Sequence, residues 1–275
     1  MDSKNDNNGQ DDSYFVFREA ANADELLQLF QLRYQVYRNS RLAKFVPENE
    51  YGIDLDCYDI RARHFGLFRV WDSEEQPLGY IRVVEEKEVH ACSLIFELLK
   101  VIPGLRYKIE KVPFCPFPLM TYSPDAAIIE ELLSQVRAHG ERMVELCRFA
   151  ISHSYRSLRL AKHIFESTIA FYWFYLQFDH AIACCDSSKK AFYRRYGVRQ
   201  LAGTKEGDLF GIGVSSSCIF GSAKSVPSPA KESLVRMAEV YSETGRICCF
   251  PFDSSQFYDP IHQPRTEAQV ALATR

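Results

Sequence analysis

A carboxylate and a guanidinium stand three residues apart inside an apolar run, Glu145-Leu146-Cys147-Arg148-Phe149-Ala150. Burial penalises the charged form of a carboxyl group, so Glu145 on a central strand would have its pKa raised toward neutrality. A carboxylate poised there can take a proton from an incoming nucleophile, directly or through water. The competing reading is structural: Glu145 holds Arg148 or Arg33 in a buried network. The spacing carries its own prediction. Successive side chains of a strand alternate faces, so residues three apart point opposite ways. A β-bulge would bring Glu145 and Arg148 toward one site. It would also free a backbone N–H to donate to a developing oxyanion.

These residues need a frame. Alternating and apolar runs predict strands at 14–17, 65–71, 78–84, 144–151 and 181–185, and one or two more within 209–221. Residues 72–77 read as the turn between the second and third strands. Helical spacing predicts helices from Asn22 or Asp24 to about Tyr37, over 126–138 and over 158–178. Another should run from Ser187 to Tyr196, with Ser187 as its cap and Gly197 as its stop. A last helix is expected at about 230–243. Between these lie a loop at 39–64 and an irregular insert at 88–124. The insert holds a short helix, Leu94–Leu99, and a Pro-rich piece, 113–118; inserts of that length in a compact domain usually serve function. The order gives an α/β (α+β) fold, with 144–151 and 181–185 as a parallel pair joined by a right-handed crossover. The run 181–185 should be buried on both faces.

Composition narrows the class. The 275 residues are 47% hydrophobic and 25% charged, as in an ordinary globular chain. The net charge of -3 sits in residues 1–13, where Asp2, Asp6, Asp11 and Asp12 oppose Lys4. The rest is neutral, which argues against nucleic-acid binding. Residues 1–13 read as a disordered tail. Nine cysteines without a CxxC pair read as reduced thiols of a cytoplasmic protein, and no recurring Cys/His spacing suggests a metal. The polar, acidic N-terminus does not read as a secretory signal. The longest strongly apolar run, 169–176, is too short to cross a bilayer. Cys147, Cys184 and Cys185 sit in apolar strand settings and read as buried small hydrophobes. His64, His153 and His163 form no triad pattern.

Lys189-Lys190-Ala191-Phe192-Tyr193-Arg194-Arg195-Tyr196-Gly197 resembles the last helix of the GNAT acyltransferases, where an aromatic-Tyr pair precedes a helix-ending glycine. Three further segments resemble acyl-homoserine lactone synthases. Arg33-Tyr34-Gln35-Val36-Tyr37 is similar to their R-x-x-x-F, with Tyr for Phe. Asp56-Cys57-Tyr58-Asp59 is similar to their D-x-x-D, and Glu145 to Arg148 to their E-x-x-R. Arg82 falls in the expected intervening strand. The pattern spans about 14–221 and is also similar to N-acyl amino acid synthases and exosortase-associated acyltransferases. The resemblance implies a GNAT-like mixed sheet flanked by helices, followed over 222–275 by a linker, a helix and an irregular tail.

The implied reaction joins an acyl thioester to an amine. Glu145 would be the base, Arg148 its partner at the bulge, and Tyr193 the acid for the departing thiolate. Arg33, Tyr37, Asp56, Asp59, Arg82 and Phe149 would shape the acceptor site, with an Asp holding the amine and an Arg a carboxylate. The aromatic run 171–175 fits either the core or an acyl slot. The segment 154–161 lacks the glycines that hold the coenzyme A diphosphate in GNATs, which favours acyl carrier protein over coenzyme A as the donor's handle. Arg156, Arg159, Lys189, Lys190 and Arg194 would form a positive rim for that acidic carrier. No bound cofactor is implied. A lactone-forming synthase using S-adenosylmethionine and a noncatalytic carrier-binding module are the alternatives. Membrane contact would be peripheral, through a lipid product.

Overall fold

The computed structural model describes residues 13–72, 74–86, 93–110 and 115–249, and the backbone of 257–258. The disordered-tail expectation for 1–13 falls almost wholly outside them, as does part of the Pro-rich piece. A nine-stranded sheet runs in the order β6-β7-β5-β4-β3-β2-β1-β8-β9. Its strands are β1 Tyr14–Glu19, β2 Ala62–Trp71, β3 Glu74–Glu85, β4 Met143–Ile151, β5 His180–Asp186, β6 Arg199–Gln200, β7 Ser216–Ser222, β8 Ile247–Cys249 and β9 Phe257–Tyr258. β4 and β5 are parallel and every other pairing is antiparallel.

Helices cover both faces. On one lie α1 Ala23–Arg38, α2 Ser93–Val101, the short α3 Tyr107–Glu110 and α4 Pro118–Tyr122, and α5 Ala126–Ala138. On the other lie α6 Leu158–Ile169, α7 Lys190–Arg194 and α8 Ser228–Thr244. The Asn22 side chain caps α1 by accepting from the Glu25 N–H, and Ser157 caps α6 through Leu160. α8 sends Leu234, Met237 and Tyr241 into the same core as β2, β3 and β4.

The departures from expectation have local causes. The helix expected over 158–178 is α-helical only to Ile169, then widens into a π turn over Ala170–Tyr175. Phe171, Tyr172 and Trp173 of that turn are buried, with Phe171 and Tyr172 against Phe65, Phe178 and Tyr241, so these three rings are core, whereas Tyr175 is exposed. α7 is shorter than expected, and Asp186 rather than Ser187 caps the turn before it. Gly197 does stop it, at φ +76 and packed so closely that a Cβ would lie 2.2 Å from the Ser225 carbonyl oxygen. β8 has no counterpart among the expected strands; three residues after a glycine stop give too short an apolar run to read as one.

β5 is less buried than expected, for a reason that shapes the site. Its parallel pairing with β4 runs only from Met143–His180 to Leu146–Ala183. Beyond that the two strands part. Cys184 and Cys185 keep only β7 as a neighbour and are half-buried. The central pair therefore opens into a wedge lined by two strand edges.

Candidate active site

The wedge opens where β4 is bulged. Tyr80 pairs with Ala150 and Arg82 with Cys147, so two residues, Arg148 and Phe149, face Ile81 alone. Arg148 takes the left-handed conformation, φ +54, which is costly for a non-glycine residue. The extra residue resets the alternation. Val144, Leu146 and Ile151 point into the core beneath α6, whereas Met143, Cys147 and Ala150 face the α1 and α5 side. Glu145 and Arg148 thus reach one side despite their odd spacing. The bulge expected from parity is present.

Arg148 joins a closed set of ions. Arg33 of α1 grips Asp59 with two parallel bonds of 3.0 Å, and its Nε lies 2.8 Å from Asp54 Oδ2. Arg82 Nη1 donates to Asp56 at 2.6 Å and to Asp59 at 2.9 Å. Arg148 donates to Asp56 Oδ2 at 3.0 Å and lies 3.6 Å from Asp54. Three cations face three carboxylates, as burial demands. Burial would raise the pKa of Asp59, but Arg33 and Arg82 hold it well below the usual carboxylate range. Asp56 is likewise lowered against its burial, chiefly by Arg82.

A polar chain fixes the inner end. Arg33 donates to the Tyr80 hydroxyl at 2.8 Å, so that hydroxyl donates onward to His64 Nδ1 at 2.8 Å. His64 Nε2–H then donates to the Asp59 carbonyl at 2.9 Å, and burial holds the ring neutral with a pKa lowered to about 4. His64 is structural. The outer end is open. The side chains of Arg148 and Asp56 are 17% and 16% exposed, against 0% for Arg33 and Asp59. Exposed Tyr122 and Phe149 stand beside them, and Tyr122 lies within electrostatic reach of both Asp56 and Arg148.

Glu145 stands next to this set but outside it. Its Oε2 accepts one bond, from the Leu119 N–H at the start of α4, at 2.8 Å. Burial pushes its pKa up to about 7, and the Leu119 N–H, the more distant Arg82 and the Cys147 thiol only partly oppose the shift. The thiols are not nucleophiles: burial pushes Cys147, Cys184 and Cys185 each up to about 12. Tyr193 packs edge-on to Phe165 at 5.0 Å, near Cys184 and Cys185, and burial raises its phenol above the ordinary value. It lies on the β5 side of the wedge, and Glu145 lies on the β4 side.

The remaining expected residues separate into two roles. Tyr37 does not face open space. Its hydroxyl donates to the Phe149 carbonyl at 3.2 Å and its ring lies 5.7 Å from the Arg148 guanidinium, so it props the bulge. Arg156, Arg159, Lys189 and Arg194 are exposed near the mouth of the wedge, on the α6 and α7 side. Lys190 is committed elsewhere, to an ion pair with Glu206 and a 3.2 Å bond to Gln200.

Sequence reasoning missed Asp54, Tyr80, Leu119, Tyr122 and Leu158. Asp54 and Tyr80 had a signal, since each stands two residues before a recognised member. A strap was also missed. Lys44 donates to the Gly211 carbonyl at 2.6 Å, Arg41 to that of Gly213 at 3.1 Å, and Phe45 meets Phe210 edge-on at 6.3 Å. Thus the loop after α1 reaches the loop before β7.

A family model described as N-acyl amino acid synthase FeeM matches residues 121–212, which hold Glu145, Arg148 and Tyr193. No curated protein sequence matches the chain. Among solved structures, FeeM from uncultured soil microbes is 15% identical, covering 77% of this chain and 92% of that one with a TM-score of 0.48. The acyl-homoserine lactone synthase LasI is 16% identical over 77% and 90%, with a TM-score of 0.45. An acyl-CoA N-acyltransferase from Pseudomonas aeruginosa is 15% identical over 75% and 97%, with a TM-score of 0.42. The family match falls on the segment that carries Glu145 and its bulge, about a third of the chain, and over that segment the chain is similar to the N-acyl amino acid synthases.

Proposed function

We propose that the chain transfers a fatty acyl group from an acyl-carrier thioester to the amine of an amino acid. The observation that carries this reading is Glu145, a buried carboxyl with a pKa near 7 beside a bulged strand. An amine nucleophile enters from the α1 side and attacks the thioester carbonyl as Glu145 accepts its proton. The backbone N–H freed by the bulge donates to the oxyanion. The C–S bond then breaks, the thiolate leaves, and the Tyr193 hydroxyl supplies its proton.

The acceptor follows from the outer end of the ion set. Asp56 and Arg148 present a carboxylate and a guanidinium side by side, between Tyr122 and Phe149. That pair complements the ammonium and carboxylate of a free amino acid, and the rings suit an apolar side chain. The donor arm enters the wedge between β4 and β5, whose two edges have backbone groups to offer a pantetheine amide. The helix α6 N-terminus, with Arg156 and Arg159, suits one phosphate. Exposed Leu158 between those arginines adds an apolar contact for a carrier protein, with Lys189 and Arg194 opposite. A donor on acyl carrier protein fits the absence of glycine from 154–161.

Mass spectrometry of reactions with an acyl-carrier donor and pooled amino acids tests the reading. An N-acyl amino acid is the expected product, and Glu145→Gln should lower turnover by about 10²–10⁴. Lactone as the sole product, or full turnover by Glu145→Gln, would overturn it.

A further inference from the structure

The insert between β3 and α4 builds a second surface, away from the wedge. α2, the turn through Pro103 and α3 bury Ile95, Leu98, Leu99, Leu105 and Ile109 beside Leu26, Leu29 and Phe30 of α1. With its inner side so anchored, the outer side is apolar as well. Phe96 is 45% exposed, Val101 75% and Tyr107 63%. Lys100, Arg106 and Lys108 are interleaved with them, against Glu97 and Glu110. Among the described residues none of these three cations is held in an ion pair. Lys108 lies over the Tyr107 ring at 6.0 Å, and large apolar side chains left on a surface beside cations without an acidic partner mark an interaction site.

We propose that this outer side docks on the surface of an anionic lipid bilayer. The chemistry is that of an interfacial anchor: a phenol and a phenyl ring settle at headgroup depth, and cations meet lipid phosphates. Because the inner side is part of the core, the contact area is present in advance. Among the described residues no helix is long and apolar enough to cross a membrane, so the contact is peripheral. A carrier protein is the weaker occupant, since its basic rim lies on the opposite face of the sheet, at α6 and α7. The proposal takes its purpose from the proposed reaction, whose fatty amphiphilic product would leave into lipid. Vesicle binding is read without turnover, so either idea can fail alone.

The test is co-sedimentation of the full chain with two kinds of vesicle, pure phosphatidylcholine and phosphatidylcholine with about one third phosphatidylglycerol. The wild type should pellet with both, more with the anionic vesicles, and lose that preference at high salt. The triple substitution Phe96→Ser, Val101→Ser, Tyr107→Ser should weaken binding at least about tenfold. Lys100→Glu with Arg106→Glu should abolish the anionic preference. All these positions are exposed, and unchanged circular dichroism melts would verify folding. Wild-type chain that stays in the supernatant, or variants that pellet as well as the wild type, would overturn the proposal. So would a concentration-dependent dimer in analytical ultracentrifugation that the triple variant dissolves, which would make the patch a self-contact.

Discussion

Asp59 and Glu145 are both fully buried carboxylates over the same face of one sheet, and their surroundings divide them. Burial alone would raise both. Asp59 receives two bonds from Arg33 and a third from Arg82, and it stays ionised far below neutral pH. Glu145 receives one backbone N–H and rises to about 7. The number of positive partners, and not depth, decides which carboxyl is a fixed charge and which is a proton carrier. The saturated set around Asp59 positions Asp56 and Arg148 at the rim. The unsaturated group beside it is left free for chemistry.

The largest effect should come from breaking the saturated side. Asp59→Asn leaves Arg33 and Arg82 buried with one carboxylate fewer each. It should cost about 3–5 kcal/mol of stability, read as a lower urea midpoint. A loss below about 1 kcal/mol would mean that Asp54 and Asp56 suffice to neutralise the three arginines. Glu145→Gln should do the reverse: lose catalysis and keep the fold.

The pH dependence sharpens the same contrast. The folded pKa of Glu145 lies above its ordinary value of 4.5, so the folded state binds the proton more tightly than the unfolded chain does. Its contribution to stability is full below about pH 4.5 and lost as pH rises through about 7. At pH 8, Glu145→Gln should therefore be more stable than wild type relative to the same comparison at pH 4, by about 3 kcal/mol. Asp59, with its pKa lowered, behaves oppositely: its contribution is present above the ordinary carboxylate range and lost as pH falls below it. Turnover should rise with pH through about 7 as Glu145 becomes a free base. A parallel pH dependence of stability in the wild type and in Glu145→Gln would show that Glu145 does not titrate near neutrality.

Much of this contrast is legible in the sequence, because it depends on periodicity and order. The odd spacing of Glu145 and Arg148 requires a bulge, and the bulge is there. Arg33, Asp56, Asp59, Arg82 and Arg148 are recognisable by type and order, and they meet. What is not legible depends on tertiary neighbours. Leu119 supports Glu145 with a backbone N–H, which any residue offers. Lys190 reads as a free cation along the chain, yet folding brings Glu206 onto it. The π turn at Ala170–Tyr175 follows from packing large rings against α8 and β2, which a helical pattern cannot foretell. Tyr37 stands in the motif position expected to line the substrate, yet its hydroxyl is spent on the backbone.

Tyr37 gives the finest probe of how the two sides are joined, because its hydroxyl touches only the bulge between them. Tyr37→Phe keeps the ring beneath Arg148 and removes the one bond to the Phe149 carbonyl. A single neutral hydrogen bond contributes about 1 kcal/mol, so the thermal midpoint should fall by only a few degrees. If that bond aims the bulge N–H at the reacting carbonyl, its loss acts on the transition state and not on substrate binding. Then kcat should drop about fivefold with KM little changed. The pH profile should keep its inflection near 7, because Glu145 is untouched. A rise in KM with kcat intact would instead make Tyr37 a substrate contact, and unchanged kinetics would mean that Asp56 and Asp54 alone hold Arg148 and its strained backbone in place.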